Sequence, residues 1–139
     1  MHFSEGQYVH MVGVCGVGMA GVARLLVARG CVVSGCDAVL NNLAPELRAV
    51  GITVTQGHDV AHIEALPDDA LIVMTPAVSE FEPEIAAARK KRLRIVSRGE
   101  TLAALTSSFE CVAVCGAHDK TTTSCFAVRL LQELGVNAG

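Results

Sequence analysis

A chain of 139 residues is the size of one ordinary domain, large enough to bury a single core. Its hydrophobic fraction of 51% is globular, and aromatic residues make up only 4%, with no Trp. A formal net charge of −3 gives no general pull toward nucleic acid or an anionic membrane surface, and Arg24 and Arg29 interrupt the run that comes nearest to spanning a bilayer.

Taken in chain order, short apolar runs alternate with helical patterns. "YVHMVGV" (8–14) reads as a first strand with a helix near 18–29, and "CVVSGC" (31–36) as a second with a helix near 43–50. "ITVT" (52–55) is followed by a less regular segment at 58–67 with room for a short helix. "ALIVM" (70–74) precedes a helix near 83–91, "RIVS" (94–97) one near 99–107, and "CVAVC" (111–115) one near 120–134. This alternation predicts an α/β fold: a Rossmann-like, doubly wound, mostly parallel sheet with helices on both faces. Gly30, Gly51 and Gly135 follow helices, where a left-handed cap costs Gly little. Pro45 and Pro83 suit first-turn positions. The basic run "RKKRLR" (89–94) reads as a solvated helix end whose cations favour the C-terminal dipole.

The six cysteines, at 15, 31, 36, 111, 115 and 125, include no C-x-x-C pair, so neither a zinc site nor a thioredoxin-type motif is expected. Cys31, Cys111 and Cys115 lie in or beside apolar runs, where Cys serves as a small hydrophobe. "MHFSEGQYVHMVG" lacks the basic start and unbroken apolar stretch of a secretory signal. A reduced, cytoplasmic protein is the expectation.

"GVCGVGMAG" (13–21) holds G-x-G-x-x-G as Gly16, Gly18 and Gly21, after a strand and at the opening of a helix. Gly16 permits the tight turn, Gly18 the close approach of a pyrophosphate, and Gly21 close packing of helix on strand. The helix start offers free N–H groups and partial positive charge to phosphates. Asp37 closes the second strand, where such folds place a carboxylate for ribose hydroxyls. A nucleotide diphosphate is expected here, of a kind that the motif alone does not specify.

"CGAHDKTTTS" (115–124) resembles a triphosphate loop in which Lys120 reaches β- and γ-phosphates and the Thr121 hydroxyl holds Mg²⁺. The standard spacing is not met, because Val114 and Asp119 occupy its two glycine places. Spacing alone leaves two readings open, an ATP loop and a merely polar helix start.

Taken together, these residues resemble the Mur ligase family. The carriers are "HMVGVCGVGMAGVA" (10–23), "SGCD" (34–37), Gly57 with His58, "TPAVSEFEPE" (75–84), "VSRGETLAAL" (96–105) and "GAHDKTTT" (116–123), in family order over essentially the whole chain. The resemblance implies a three-domain ligase in which the glycine cluster serves UDP rather than NAD. Residues 1–108 would form the UDP-sugar-binding domain, and 109–139 would open the ATP-binding central domain with a strand and a helix. The implied reaction joins L-alanine to UDP-N-acetylmuramate through an acyl phosphate, using ATP and Mg²⁺. Carried over by motif, Gly16, Val17, Gly18, Met19 and Gly21 face the diphosphate. Asp37 and His58 approach ribose or uracil, while Thr75 and Ala77 line the pocket. Gly116, Ala117, His118, Asp119, Lys120, Thr121 and Thr122 form the ATP loop, with Lys120 catalytic. His58 also reads as a turn-capping loop residue, and Arg98 reads at least as well as a partner of Glu100 or of a helix end as it does as a ligand contact.

Three departures from the family pattern stand out. Cys15 replaces a Gly and fits only with negative φ. Ala117 removes a Thr hydroxyl, and Asp119 puts a carboxylate where phosphate should come. Asp119 is expected to defeat ATP binding by this chain, Lys120 pairing with it instead. The apolar stripe Phe126, Leu130, Leu131 and Leu134 needs cover, from its own domain or from a second copy in a homodimer through 111–139. Two further readings stand beside the ligase: an NAD-binding oxidoreductase module and a non-catalytic nucleotide-binding protein.

Overall fold

The computed structural model describes residues 2–79 and 81–138; Glu80, inside the 75–84 motif, lies outside the described residues with the two terminal positions. The chain divides into two compact units, Met1–Ser108 and Phe109–Gly139. In the first, β1 (Tyr8–Val12), β2 (Val32–Asp37), β3 (Thr53–Gln56), β4 (Leu71–Met74) and β5 (Arg94–Ser97) alternate with helices α1 (Val17–Ala28), α2 (Leu43–Ala49), α3 (Val60–Glu64), α4 (Pro83–Lys90) and α5 (Arg98–Thr106).

The five strands form one sheet of order β3-β2-β1-β4-β5, every neighbouring pair parallel. β1 is central, and Val9 to Val12 are all buried, as a strand covered on both faces requires. Alternate side chains feed two cores. Val9, Met11 and Val33 pack with Met19, Ala23 and Leu26 of α1, Leu47 of α2 and Leu105 of α5. Val12, Cys36 and Ile72 pack with Ile63 of α3 and with Ile85 and Ala88 of α4. Helices therefore cover both faces, as the alternation predicts. Strand order reverses between β1 and β4, which opens a crevice at their C-terminal ends.

Local chemistry sets the element ends. Gly30, Gly51 and Gly135 adopt φ of +79°, +88° and +78° after their helices. Ser97 and Glu100 form a reciprocal capping box at the start of α5. Asp59 caps α3 by accepting the Ala61 N–H at 2.8 Å. From the basic run, the Lys91 ammonium reaches the carbonyls of Ile63, Glu64 and Leu66 at the end of α3, not those of its own helix.

Four expectations are corrected. Gly21 is exposed, and a Cβ there would meet nothing within 4 Å, so it holds no helix against the sheet. The close contact that only Gly allows is at Gly35 of β2, against β1 and the loop after it: a Cβ there would come within 2.7 Å of both the Met11 carbonyl oxygen and the Val14 Cβ. Cys31 is buried as predicted, but Cys111 and Cys115 are exposed. The predicted strand at 111–115 does not form, because among the described residues the second unit holds no strand to ladder with it. That unit is built on α6 (Lys120–Glu133), which has no buried residue. Of the two covers expected for the stripe, its own domain supplies none: within one chain Phe126, Leu130 and Leu134 are exposed by 73%, 62% and 70%. Among the described residues, no helix is long and apolar enough to cross a membrane.

Candidate functional site

The loop after β1 occupies the crevice at the strand-order reversal. Gly13 turns the chain at φ +84°, and a Cβ on it would lie 2.7 Å from the Thr75 methyl, so only Gly lets this loop settle against the end of β4. The Gly13 and Val14 N–H groups donate to the Cys36 carbonyl at 2.9 and 3.0 Å. Cys15 is not among the positive-φ residues, which is how it replaces Gly without strain. Its N–H donates to Asp37 Oδ2 at 2.9 Å, and its carbonyl accepts the Asn41 side-chain amide at 2.9 Å. Asp37 thus spends one oxygen on the loop backbone and keeps the other more open, with Val39 N–H at 3.5 Å.

Gly16 is the extended N-cap of α1, and no side chain caps the helix. The first-turn amides of Val17, Gly18 and Met19 have no intrahelical acceptor and stand at the positive end of the helix dipole, which is a seat for an anion. Val17 is exposed, whereas the Met19 side chain is in the core, so Met19 can offer a ligand only its amide. Arg98 completes this corner. A Cβ on Gly18 would fall 1.8 Å from Arg98 Nη1, so the guanidinium lies directly over the first turn. Glu100 is held by the Ser97 N–H and hydroxyl, both at 2.7 Å, and does not pair with Arg98. Beside them an open groove of about 460 Å³ is lined by Thr75, Pro76, Val96 and Ser97 among others. Ala77 is exposed, its N–H 3.5 Å from Thr75 Oγ1.

His58 is neither a turn cap nor an open ligand contact at both nitrogens. Its Nδ1 stands 3.2 Å from Cys36 Sγ and 3.1 Å from Glu84 Oε2. Glu84 is fully buried. It accepts from the Cys36 thiol at 2.8 Å and contacts His62 Nδ1 at 2.5 Å, while His10 Nε2 lies 3.8 Å away. Burial pushes the Glu84 carboxyl up, but His10, Cys36 and His62 around it outweigh burial and hold its pKa at about 2. Burial first, then Glu84, pushes the Cys36 thiol far above its ordinary range. None of His10, Cys36, His62 or Glu84 is singled out by the sequence motifs; the signal available was a His on the core side of an otherwise apolar strand.

In the second unit, Asp119 caps α6 in the left-handed region at φ 58°, ψ 17°, with no hydrogen bond from its carboxylate to the helix. The loop thus keeps a backbone shape proper to Gly while presenting an anionic side chain. Lys120 does not pair with Asp119: its ammonium donates to the Gly116 and Ala117 carbonyls at 2.8 and 3.2 Å. His118, Thr121 and Thr122 are exposed. Free amides at the start of α6 and two hydroxyls suit a phosphate and its Mg²⁺, but the Asp119 carboxylate and the withdrawn Lys120 do not. The loop as it stands does not fit a triphosphate.

The profile of the Mur ligase family, catalytic domain, matches residues 8–110. Among curated relatives, the UDP-N-acetylmuramate–L-alanine ligase of Acidothermus cellulolyticus is 44% identical over 92% of this chain and 26% of its own length. The enzyme of the same name from Syntrophomonas wolfei subsp. wolfei is 38% identical over 97% of this chain and 29% of its own length. Among solved structures, the UDP-N-acetylmuramate-alanine ligase of Thermotoga maritima matches with a TM-score of 0.81 at 31% identity, covering 91% of this chain and 29% of that one. A murein peptide ligase from Psychrobacter arcticus 273-4 matches with a TM-score of 0.85 at 31% identity, covering 94% and 27%. The chain therefore spans under a third of the length of these relatives.

Proposed function

The chain belongs to the Mur ligase family, and from that premise we propose that it is the UDP-sugar-binding part of a ligase joining L-alanine to UDP-N-acetylmuramate. The observation that carries the reading is the uncapped start of α1 at the strand-order reversal, with Arg98 lying over Gly18. A diphosphate there would take the amides of Val17, Gly18 and Met19 and the Arg98 guanidinium, a helix terminus reinforced by a charge-assisted donor. Gly16 and Gly18 leave room for it; Gly21, one turn further along, faces solvent. The less occupied oxygen of Asp37 is available to a ribose hydroxyl, and Thr75 lines the groove for the rest of the ligand, with the exposed Ala77 two residues further on. His58 has only its Nε2 left for uracil or ribose.

The 109–139 segment is proposed as the opening of the ATP-binding domain, with ATP and Mg²⁺ serving the whole protein and Lys120 and Thr121 in the family's positions. Asp119 argues against ATP use by this chain. The choice of L-alanine follows the names of the curated relatives. The open stripe of α6 supports a homodimer through this segment, which sedimentation velocity would detect as a concentration-dependent dimer. Calorimetry tests the central reading: UDP-N-acetylmuramate should bind saturably and NADH should not. Tight NADH binding with no response to the UDP-sugar would put the oxidoreductase module in its place.

A further inference from the structure

The geometry points to a transition-metal site of the zinc class built from His10, Cys36, His62 and Glu84, none of them a residue of the 13–21 glycine loop, and we propose it as such. The four side chains come from β1, β2, α3 and α4, and their donor atoms all lie within 4.8 Å of one another. Zinc bonds of about 2.0–2.3 Å place tetrahedral donors roughly 3.3–3.8 Å apart, so small side-chain rotations close the cluster on an ion. The donor set, two imidazoles, one thiol and one carboxylate, selects Zn²⁺ or Co²⁺ over Mg²⁺ or Ca²⁺.

His10 is the independent observation. It is 2% exposed, and its Nε2 is a buried side-chain nitrogen with no hydrogen-bond partner, aimed at Glu84. Its other nitrogen lies 2.8 Å from Ser34 Oγ. With Nδ1–H donated to Ser34, the Nε2 lone pair points into the cluster, the orientation that a metal-bound imidazole takes from its outer partner. A buried nitrogen left without a partner is costly in a native core; a metal bond removes that cost.

Charge balance favours the same reading. A divalent cation displaces the Cys36 thiol proton, which passes to solvent, and binds the thiolate, the ionised Glu84 and two neutral imidazoles. The filled site then carries no net charge, which suits its burial. His58 Nδ1 touches both Cys36 and Glu84 from a side chain 17% exposed, and His62 is 21% exposed, so this edge is the entry path.

The test is Co²⁺ titration of the chelator-stripped 139-residue chain with Cys111, Cys115 and Cys125, all exposed, changed to Ser. One equivalent should bind with tetrahedral visible bands and a near-ultraviolet thiolate-to-cobalt band, and Zn²⁺ should displace it. In that background Cys36→Ser should remove the thiolate band, and His10→Gln or His62→Gln should weaken binding at least tenfold. Circular dichroism checks that each variant is folded, and His62, the most exposed of the four ligands, gives the variant least able to disturb the core. Absence of the thiolate band at one equivalent in the folded parent chain overturns the site without recourse to any core variant. So does unchanged affinity in folded His62→Gln.

Discussion

Changing Asp119 to Gly should leave folding nearly unaltered and sharply improve phosphate binding. The backbone at 119 is already left-handed, at φ 58°, so Gly takes up the same shape without rearrangement. Relief of the left-handed penalty, about 1 kcal/mol, is offset by the added freedom of Gly in the unfolded chain, about 0.4–1 kcal/mol. Loss of an anion at the start of α6 costs about 0.3–1 kcal/mol more. The net effect on stability is within about 1 kcal/mol of zero. A carboxylate ~4 Å from a phosphate charge repels it by about 1–4 kcal/mol across the range of effective dielectric constants, equivalent to roughly fivefold to several-hundredfold in affinity. Removing it also leaves the Lys120 ammonium, now folded onto the Gly116 and Ala117 carbonyls, as the nearest charge to an incoming phosphate. Calorimetry with Mg²⁺–ATP is the assay. The present chain should show no saturable binding, and a longer chain carrying Asp119→Gly should exceed the same chain with Asp by at least fivefold. Micromolar binding by the unaltered chain, or equal affinities in the longer pair, would refute the argument.

Three further outcomes follow from named contacts. Gly18→Val should abolish UDP-N-acetylmuramate binding while the melting temperature stays close to that of the parent, because the first atom it meets is the movable end of Arg98; undiminished affinity would remove the loop from the site. Gly35→Ala should destabilise by about 1–3 kcal/mol or more in urea titration, since the new methyl meets the β1 backbone, which cannot yield locally; a neutral result contradicts the packing described. With chelator present, the depressed Glu84 pKa contributes stability fully present above its ordinary value of 4.5 and lost as pH falls toward about 2. The loss is about 3 kcal/mol at most, and Glu84→Gln should flatten it; equal parent stability at pH 6 and in the acid range would discount the network.

The sheet was legible because each apolar run is short, bounded by Gly or Pro, and separated from the next by a helix-length pattern. The glycine loop was legible for the same reason: a strand, three glycines and a helix fix where a phosphate can approach. What failed depended on neighbours distant in sequence. Whether 111–115 ladders depends on a partner strand, and five apolar-rich residues carry no record of one. Gly21 and Gly35 look alike in sequence; only the register that lays Gly35 beside Met11 separates them. The cluster around Glu84 joins positions 10, 36, 62 and 84, a spacing that matches no local ligand pattern, so the cysteine count pointed away from it. Arg98 was undecided until the structure occupied Glu100 with Ser97 and left the guanidinium over Gly18.

Lys91 makes the C-terminal end of α3 depend on a single amine. A helix of five residues cannot hold itself together in water, since nucleation alone outweighs so few bonds, and its last carbonyls converge on one ammonium from the far end of α4. Acetylating that nitrogen, or replacing the residue with Met, keeps the aliphatic stem and strips out the cation. Three carbonyls then turn to water, α3 frays from its end, and the His62 ring loses its fixed position over Glu84. A modification of one part-buried lysine would in this way be read out as disorder in a histidine on a different helix, with no change at the 13–21 glycine loop.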